Sequence, residues 1–106
     1  MKKSEAIEIT TFKLKDYTCE QFIAANGEID EFLKRQQGFI SRRIFQKSDR
    51  TIVDMLIWDT VKNGTESMHR LMNELSESVV HDMIDQNTVE WTINQVEHQI
   101  NNRFVI

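Results

Sequence analysis

The first forty residues change from an alternating pattern to a helical one. Residues 6–14 interleave β-branched and aromatic residues with polar ones, which predicts a first strand. Thr18 and Gln21 have the spacing of a capping box, so a helix is expected to begin there. Gly38 is expected to end this helix by supplying a left-handed residue. The apolar stripe of the helix consists of Phe22, Ala25, Asn26, Ile29, Phe32 and Leu33.

A hairpin and a second helix follow. Residues 39–47 and 51–58 predict two strands, and the short turn 48–50 between them favours antiparallel pairing. Either Asp59 or Thr60 can cap the next helix. The inward stripe of that helix consists of Val61, Gly64, Met68, Leu71, Met72 and Leu75.

The last two elements complete a known arrangement. Residues 79–84 predict a short helix, and residues 88–100 alternate as a half-exposed strand does. The order βαββαβ predicts an α+β, ferredoxin-like fold with both helices on one face of an antiparallel sheet. We expect one domain over residues 1–106.

Alternation on strands three and four suggests which side chains face the helices. The residues assigned to the helix face are Val53, Met55, Ile57, Val89, Trp91 and Ile93. The residues assigned to the open face are Ile52, Asp54, Leu56, Trp58, Glu90, Thr92 and Asn94. An open face with large apolar side chains needs a cover, and a second copy of the chain is the simplest one. A homodimer is therefore predicted, with the apolar tail 97–106 expected to cross its interface.

Composition excludes several classes of protein. The 106 residues carry 13 Lys and Arg against 17 Asp and Glu, a net charge of −4, so a nucleic-acid partner is not expected. No apolar run approaches the roughly 18 residues of a membrane span, and residues 1–5 lead into no apolar signal core. Cys19 is the single cysteine, which agrees with a reducing compartment. We expect a cytoplasmic protein without a membrane partner.

Three runs carry a resemblance to a known family: residues 9–15 (ITTFKLK), 32–43 (FLKRQQGFISRR) and 54–59 (DMLIWD). Over residues 8–96 the chain resembles the antibiotic biosynthesis monooxygenase (ABM) family of dimeric α/β barrels. The resemblance implies two ferredoxin-like sheets facing each other in a homodimer, with a pocket beside each sheet. Members of the family include cofactor-free monooxygenases of aromatic substrates, haem-degrading enzymes and isomerases.

The haem-degrading branch is not carried over to this chain. That branch uses an Asn from the first strand with a Trp and a His from the second helical region. The first-strand position lies near Thr10, and Ser67 and Met68 stand where the Trp is needed, so only His81 fits. No cofactor is expected.

His81 is the candidate for proton transfer. It is spaced four residues from both Glu77 and Asp85, so one helical face could hold a charge-tuned imidazole, or simply a solvated charged surface. An imidazole titrates near neutral pH, and pockets in the resembled family are bounded by this segment. The three histidines show no His-x-x-x-His pair, so no metal site is expected.

The residues assigned to the open face supply ligand-pocket candidates. Trp58 could stack on a planar ligand or fill the dimer core. Asp54 and Glu90, with Arg42 or Arg43, could orient a polar substrate or pair across the dimer. The ligand-pocket candidates are Arg43, Asp54, Trp58, Glu90 and Asn94.

Two functions remain open at this level. The first is a small-molecule-binding homodimer that acts as a cofactor-free monooxygenase on an aromatic or polyketide-like substrate. The second is a binding or structural dimer without enzymatic activity, since a fold does not dictate a function.

Overall fold

The computed structural model describes residues 4–102. The elements, in chain order, are β1 (Ala6–Leu14), α1 (Cys19–Ala24), α2 (Gly27–Lys34), β2 (Phe39–Gln46), β3 (Ile52–Trp58), α3 (Val61–Glu74), α4 (Val79–Met83) and β4 (Ile84–Gln95). The α+β, ferredoxin-like fold predicted from the sequence is confirmed.

The four strands form one antiparallel sheet in the order β2-β3-β1-β4. β1 and β3 are the inner strands, and β1 pairs with β3 on one side and β4 on the other. The β1–β4 register shifts between Thr11 and Lys13, where the Thr88 hydroxyl accepts a hydrogen bond from the Lys13 amide (2.8 Å). Side chains of the inner strands therefore form the centre of both sheet faces.

The first helical segment is two helices rather than the single helix predicted. Its start is as expected: the Thr18 hydroxyl accepts from the Gln21 amide (3.1 Å), and the Gln21 side chain accepts from the Thr18 amide (2.8 Å). α1 ends before Asn26, whose buried side-chain amide donates to the Phe22 carbonyl (2.7 Å). Gly38 has the predicted positive φ of 85°, but it does not end the helix: α2 ends at Lys34, and Gly38 lies in the turn that leads into β2.

The later boundaries also differ slightly from the prediction. Thr60, one of the two candidate caps, begins α3 by accepting a hydrogen bond from the Asn63 amide (3.1 Å). β4 begins at Ile84 and ends at Gln95, several residues earlier at both ends than predicted. The reason at its start is pairing: Ile84 and Asp85 lie opposite Leu14 and Lys13 of β1.

The face assignment for β3 was wrong. Ile52, Leu56 and Trp58 belong to the core under the helices, whereas Val53 lies outside that core cluster. The alternation was misread because Asp54 interrupts an otherwise apolar row, and an inner strand of a two-sided sheet can be apolar on both faces. The assignment for β4 was right, since Trp91 and Ile93 pair with Thr10 and Glu8 on the helix face.

The open face is apolar at its centre. The side chains there are those of Ile7, Ile9, Val53, Met55 and Ile57, with the exposed Phe45 beside them on β2. These side chains, and not the buried Leu56 and Trp58, are the apolar surface that a second copy would cover. Homodimer formation stays a prediction.

Residues 96–102 belong to no helix or strand. Ile100 is exposed there, and Phe104, Val105 and Ile106, on which the predicted crossing of a dimer interface depends, lie outside the described residues. None of the helices in residues 4–102 is long and apolar enough to cross a membrane.

Candidate functional site

A cavity of about 300 Å³ lies between the helices and the sheet. Its size is at the lower end of the range of about 300–1,000 Å³ that small-molecule sites occupy. Its walls are mainly apolar, and its polar side chains come from all four strands and from the helices. The polar lining residues are Glu8, Thr10, Asn26, Arg42, Asp54, His81, Gln86 and Trp91.

A wider and more polar recess of about 570 Å³ lies between the β1–α1 connection and the hairpin turn. Its ionisable side chains, such as Lys13, Asp49 and Arg50, are exposed to solvent. The cavity between helices and sheet instead holds ionisable groups removed from water, which is the usual character of a functional site.

Glu8 is fully buried at the sheet side of this cavity. One carboxylate oxygen accepts the indole N–H of Trp58 (2.8 Å), and the other accepts that of Trp91 (2.6 Å). Burial raises the pKa of Glu8, with a further rise from the negative charge of Asp54, although the bonds from the two indoles and the charge of Arg42 act in the opposite direction. Glu8 is therefore a carboxyl group whose proton is held more tightly than usual.

Arg42 joins the sheet to the first two helices. Its guanidinium donates to both oxygens of Asp54 (3.0 and 2.7 Å), to Asp30 (2.8 Å) and to the side-chain carbonyl of Asn26 (2.8 Å). Burial lowers the pKa of Arg42, but the bonds and charges of Asp54 and Asp30 outweigh this effect and raise the pKa overall. The polar end of the cavity therefore carries a permanent positive charge between two carboxylates.

His81 lines the same cavity from α4. Its Nε2 lies 2.9 Å from the Leu75 carbonyl oxygen, which can only accept, so Nε2 carries a hydrogen. In the neutral ring, Nδ1 then holds the free lone pair. Among the ion pairs of the described residues, none joins His81 to Glu77 or Asp85.

The structure brings together only some of the candidate residues. Asp54 and His81 both line the cavity. Trp58, expected on the open face, is instead fully buried on the helix face, because its ring packs edge-on against Phe39 (centroids 5.5 Å apart) and bonds to Glu8.

The other three candidates lie on the open face, outside this cavity. Arg43 is exposed there and donates to the Ser41 hydroxyl (3.1 Å). Glu90 and Asn94 pair with Thr11 and Ile7 and are exposed on the same side. Arg42, one residue earlier on β2, points to the cavity instead of Arg43. In the described part of the chain, no group of three or more His, Cys, Asp or Glu could hold a metal ion.

The sequence interpretation gave the two most deeply buried polar residues of the site no role in it. Asn26 was placed on the inward stripe of the first helix, and Glu8 looks like an ordinary polar position of an alternating strand. One signal pointed to the burial of Glu8. It lies two residues from Ala6 and four from Phe12, so the alternation of side chains along a strand puts it on the same face as these two buried residues.

Comparison with solved structures shows what this fold resembles. The cofactor-independent oxygenase SnoaB of Streptomyces nogalater superposes with a TM-score of 0.72 at 13% identity, over 93% of this chain and 99% of SnoaB. The monooxygenase from the gene ActVA-Orf6 of Streptomyces coelicolor, in complex with nanaomycin D, gives a TM-score of 0.72 at 15% identity, over 94% of each chain. A Nitrosomonas europaea protein provisionally named an antibiotic biosynthesis monooxygenase gives 0.70 at 17% identity, over 95% and 98%.

At these identities the likeness establishes the fold, and the resemblance to the antibiotic biosynthesis monooxygenases is confirmed at that level. No family model and no curated protein matches the chain in sequence.

Proposed function

We propose that the protein binds an aromatic or polyketide-like small molecule in the cavity between helices and sheet and oxygenates it without a cofactor. The observation that carries the proposal is a mainly apolar cavity that also holds a histidine and buried charged groups. Its support from the comparisons is that SnoaB is a cofactor-independent oxygenase of the same fold and that the ActVA-Orf6 monooxygenase is seen with nanaomycin D.

The chemistry requires a base and a water-poor site. A base removes a proton from an acidic C–H or phenolic O–H of the substrate, and the resulting electron-rich anion reduces molecular oxygen. For an anthrone, the CH₂ group becomes a carbonyl: one oxygen atom enters the product, and the other leaves as water with the two hydrogens. Apolar walls favour this sequence because they exclude water that would quench the anion.

In this proposal His81 is the base. Since its Nε2 hydrogen is directed to the Leu75 carbonyl, the lone pair of Nδ1 is available for a substrate proton. Asp54, held by Arg42, forms the polar end at which a hydroxyl group of the substrate can donate a hydrogen bond. Arg43, Glu90 and Asn94 have no role in this cavity.

A specific observation favours the alternative, a binding protein without catalysis. The charged groups around the cavity already have partners: Glu8 accepts from two indoles, and Asp54 accepts twice from Arg42. Groups satisfied in this way can line a binding site without changing protonation during a reaction.

We also propose the setting in which this site works. The chain forms one domain over residues 1–106, and two copies pair through the apolar open face around Met55 and Ile57. The proposed compartment is the cytoplasm, which suits the free Cys19.

Oxygen uptake with 1,8-dihydroxyanthrone tests the proposed reaction. The wild type is expected to consume oxygen above the spontaneous rate, with one oxygen molecule used for each quinone formed. His81→Gln, which keeps a donor for the Leu75 carbonyl but removes the base, is expected to lower the rate about 100-fold. His69→Gln, at an exposed position on α3, is the matched control.

Two results would contradict the proposal. Oxygen uptake at the spontaneous rate while the quinone product still binds would favour the non-catalytic alternative. Equal rates for the His81 and His69 variants would remove His81 as the base.

A further inference from the structure

Glu8 is an energetically unfavourable residue at the centre of a sheet. It is fully buried, and an ionised carboxylate removed from water is unfavourable unless several donors compensate it. Its row on the helix face contains Leu56 and Ile93 as direct neighbours, so an apolar residue would suit the packing. The fold alone does not explain a carboxylate here.

The two indoles that bond to Glu8 differ in how they are otherwise held. Trp58 is fully buried and packs edge-on against Phe39, so its ring is fixed without help from Glu8. Trp91 is 42% exposed at the wall of the cavity and makes no aromatic contact within residues 4–102. For Trp91 the bond to Glu8, at 2.6 Å, is the specific constraint on ring orientation.

From this contrast we infer that Glu8 is a positioning residue that holds the Trp91 indole as a stacking wall for planar aromatic ligands. The inference rests on the proposed small-molecule function and names the feature that selects the ligand class. An exposed tryptophan without a partner populates several rotamers, and ordering it on binding would weaken affinity. The buried carboxylate fixes the ring before the ligand arrives.

The substitution Glu8→Gln separates this role from a structural one. The two indoles bond to different oxygens of Glu8, so in the glutamine variant the NH₂ group faces one indole N–H as a second donor. That unsatisfied donor destabilises the folded state, whereas removal of the buried charge acts in the opposite direction. The diagnostic readout is therefore the affinity for a planar ligand, measured with and without the Trp91 indole, because a purely structural contact would not depend on that indole.

Binding of 1,8-dihydroxyanthraquinone measures the effect without requiring turnover. We expect Glu8→Gln to weaken its Kd about tenfold. In a Trp91→Phe background the same substitution is expected to change Kd less than twofold, because no indole remains to be positioned. Glu90→Gln, an exposed carboxylate beside Trp91 on the opposite face, is the matched control and should leave Kd unchanged.

Each of the other outcomes contradicts one part of the proposals. Equal effects of Glu8→Gln with and without the Trp91 indole would overturn the positioning role while leaving the ligand site intact. If the probe does not bind the wild type, the aromatic site fails, and with it the proposed function. If the probe binds but the anthrone is not oxidised, the proposed reaction fails. The positioning role of Glu8 is then still tested by comparing the effect of Glu8→Gln on Kd in the wild-type and Trp91→Phe backgrounds.

A measurement on the wild-type protein tests the inference even where the Glu8 variant does not fold. In ¹⁵N-labelled wild type, the indole N–H of Trp91 is expected to exchange slowly with solvent although much of its ring is exposed. Exchange as fast as that of a free indole would overturn the inference.

Discussion

Replacing Arg42 by methionine tests the polar end of the cavity most directly. Methionine keeps the unbranched stem of the side chain but removes the guanidinium and with it four hydrogen bonds. The groups left behind differ in their access to water. Asp30 is half exposed and can be rehydrated, whereas the Asp54 side chain is only 13% exposed and Asn26 is buried.

The expected loss of stability is dominated by Asp54 and Asn26. Removing one partner of a buried ion pair costs about 3–5 kcal/mol, because the remaining charge is left without compensation. The small remaining exposure of Asp54 places this site at the lower end, at about 3 kcal/mol. Since a domain of this size has a total stability of about 5–15 kcal/mol, Tm is expected to fall by roughly 15 °C.

Urea unfolding followed by circular dichroism, at one fixed protein concentration, measures the difference. Lys34→Met is the matched control: it also removes the cation of an ion pair, but Lys34 and Glu31 are 66% and 65% exposed, so a change below about 0.5 kcal/mol is expected. A loss below about 1 kcal/mol for Arg42→Met, or equal losses for both variants, would refute the reasoning.

Three further predictions concern the protonation of Glu8, the packing around two glycines and the oligomeric state. Burial raises the pKa of Glu8 above its ordinary value of 4.5, so the stability contributed by its protonated form is present below pH 4.5 and is lost as the pH rises through the folded-state pKa. The free energy of unfolding of Glu8→Gln should therefore increase relative to that of the wild type between pH 4.5 and 8 in parallel urea titrations, and a difference that stays constant would contradict this. In thermal melts Gly64→Ala should lower stability by about 1–3 kcal/mol, because its Cβ would lie 2.6 Å from the Ile93 side chain and 2.8 Å from that of Trp58. Gly27→Ala, with no atom within 4 Å of the new Cβ, is the control and should be neutral or slightly stabilising. Light scattering should give twice the 12.6 kDa chain mass, about 25 kDa, with Met55→Glu shifting it towards one chain; a wild-type monomer at micromolar concentration would remove the proposed dimer.

Local signals in the sequence predicted most of the fold. The capping box at Thr18, the positive φ at Gly38 and the hairpin turn each depend on neighbouring residues, so they could be recognised without tertiary information. The break between α1 and α2 could not, because it depends on the buried Asn26 side chain, which bonds to both Phe22 and Arg42. The β3 face assignment failed for a similar reason: Asp54 is tolerated under the helices only because Arg42 lies beside it.

The candidate site was predicted less completely because its central contacts are distant in sequence. Glu8 meets Trp58 and Trp91 across separations of 50 and 83 residues, and no periodicity reports such a pairing. His81 and Asp54 were found from residue chemistry, and both line the cavity. Their catalytic and binding roles stay predictions.

The position of β1 inside the sheet has a consequence for how the chain acquires its structure. β1 leaves the ribosome first among the strands, but its two partners are β3, near the middle of the chain, and β4, near its end. Until β4 is synthesised, β1 exposes one full edge of unpaired amides and carbonyls, and Glu8 lacks its second indole. Such distant pairing slows folding, because the long stretch of chain between the paired strands must be brought together before the stabilising contacts can form. During translation, then, the strand that carries the buried carboxylate has an edge open to pairing with another chain.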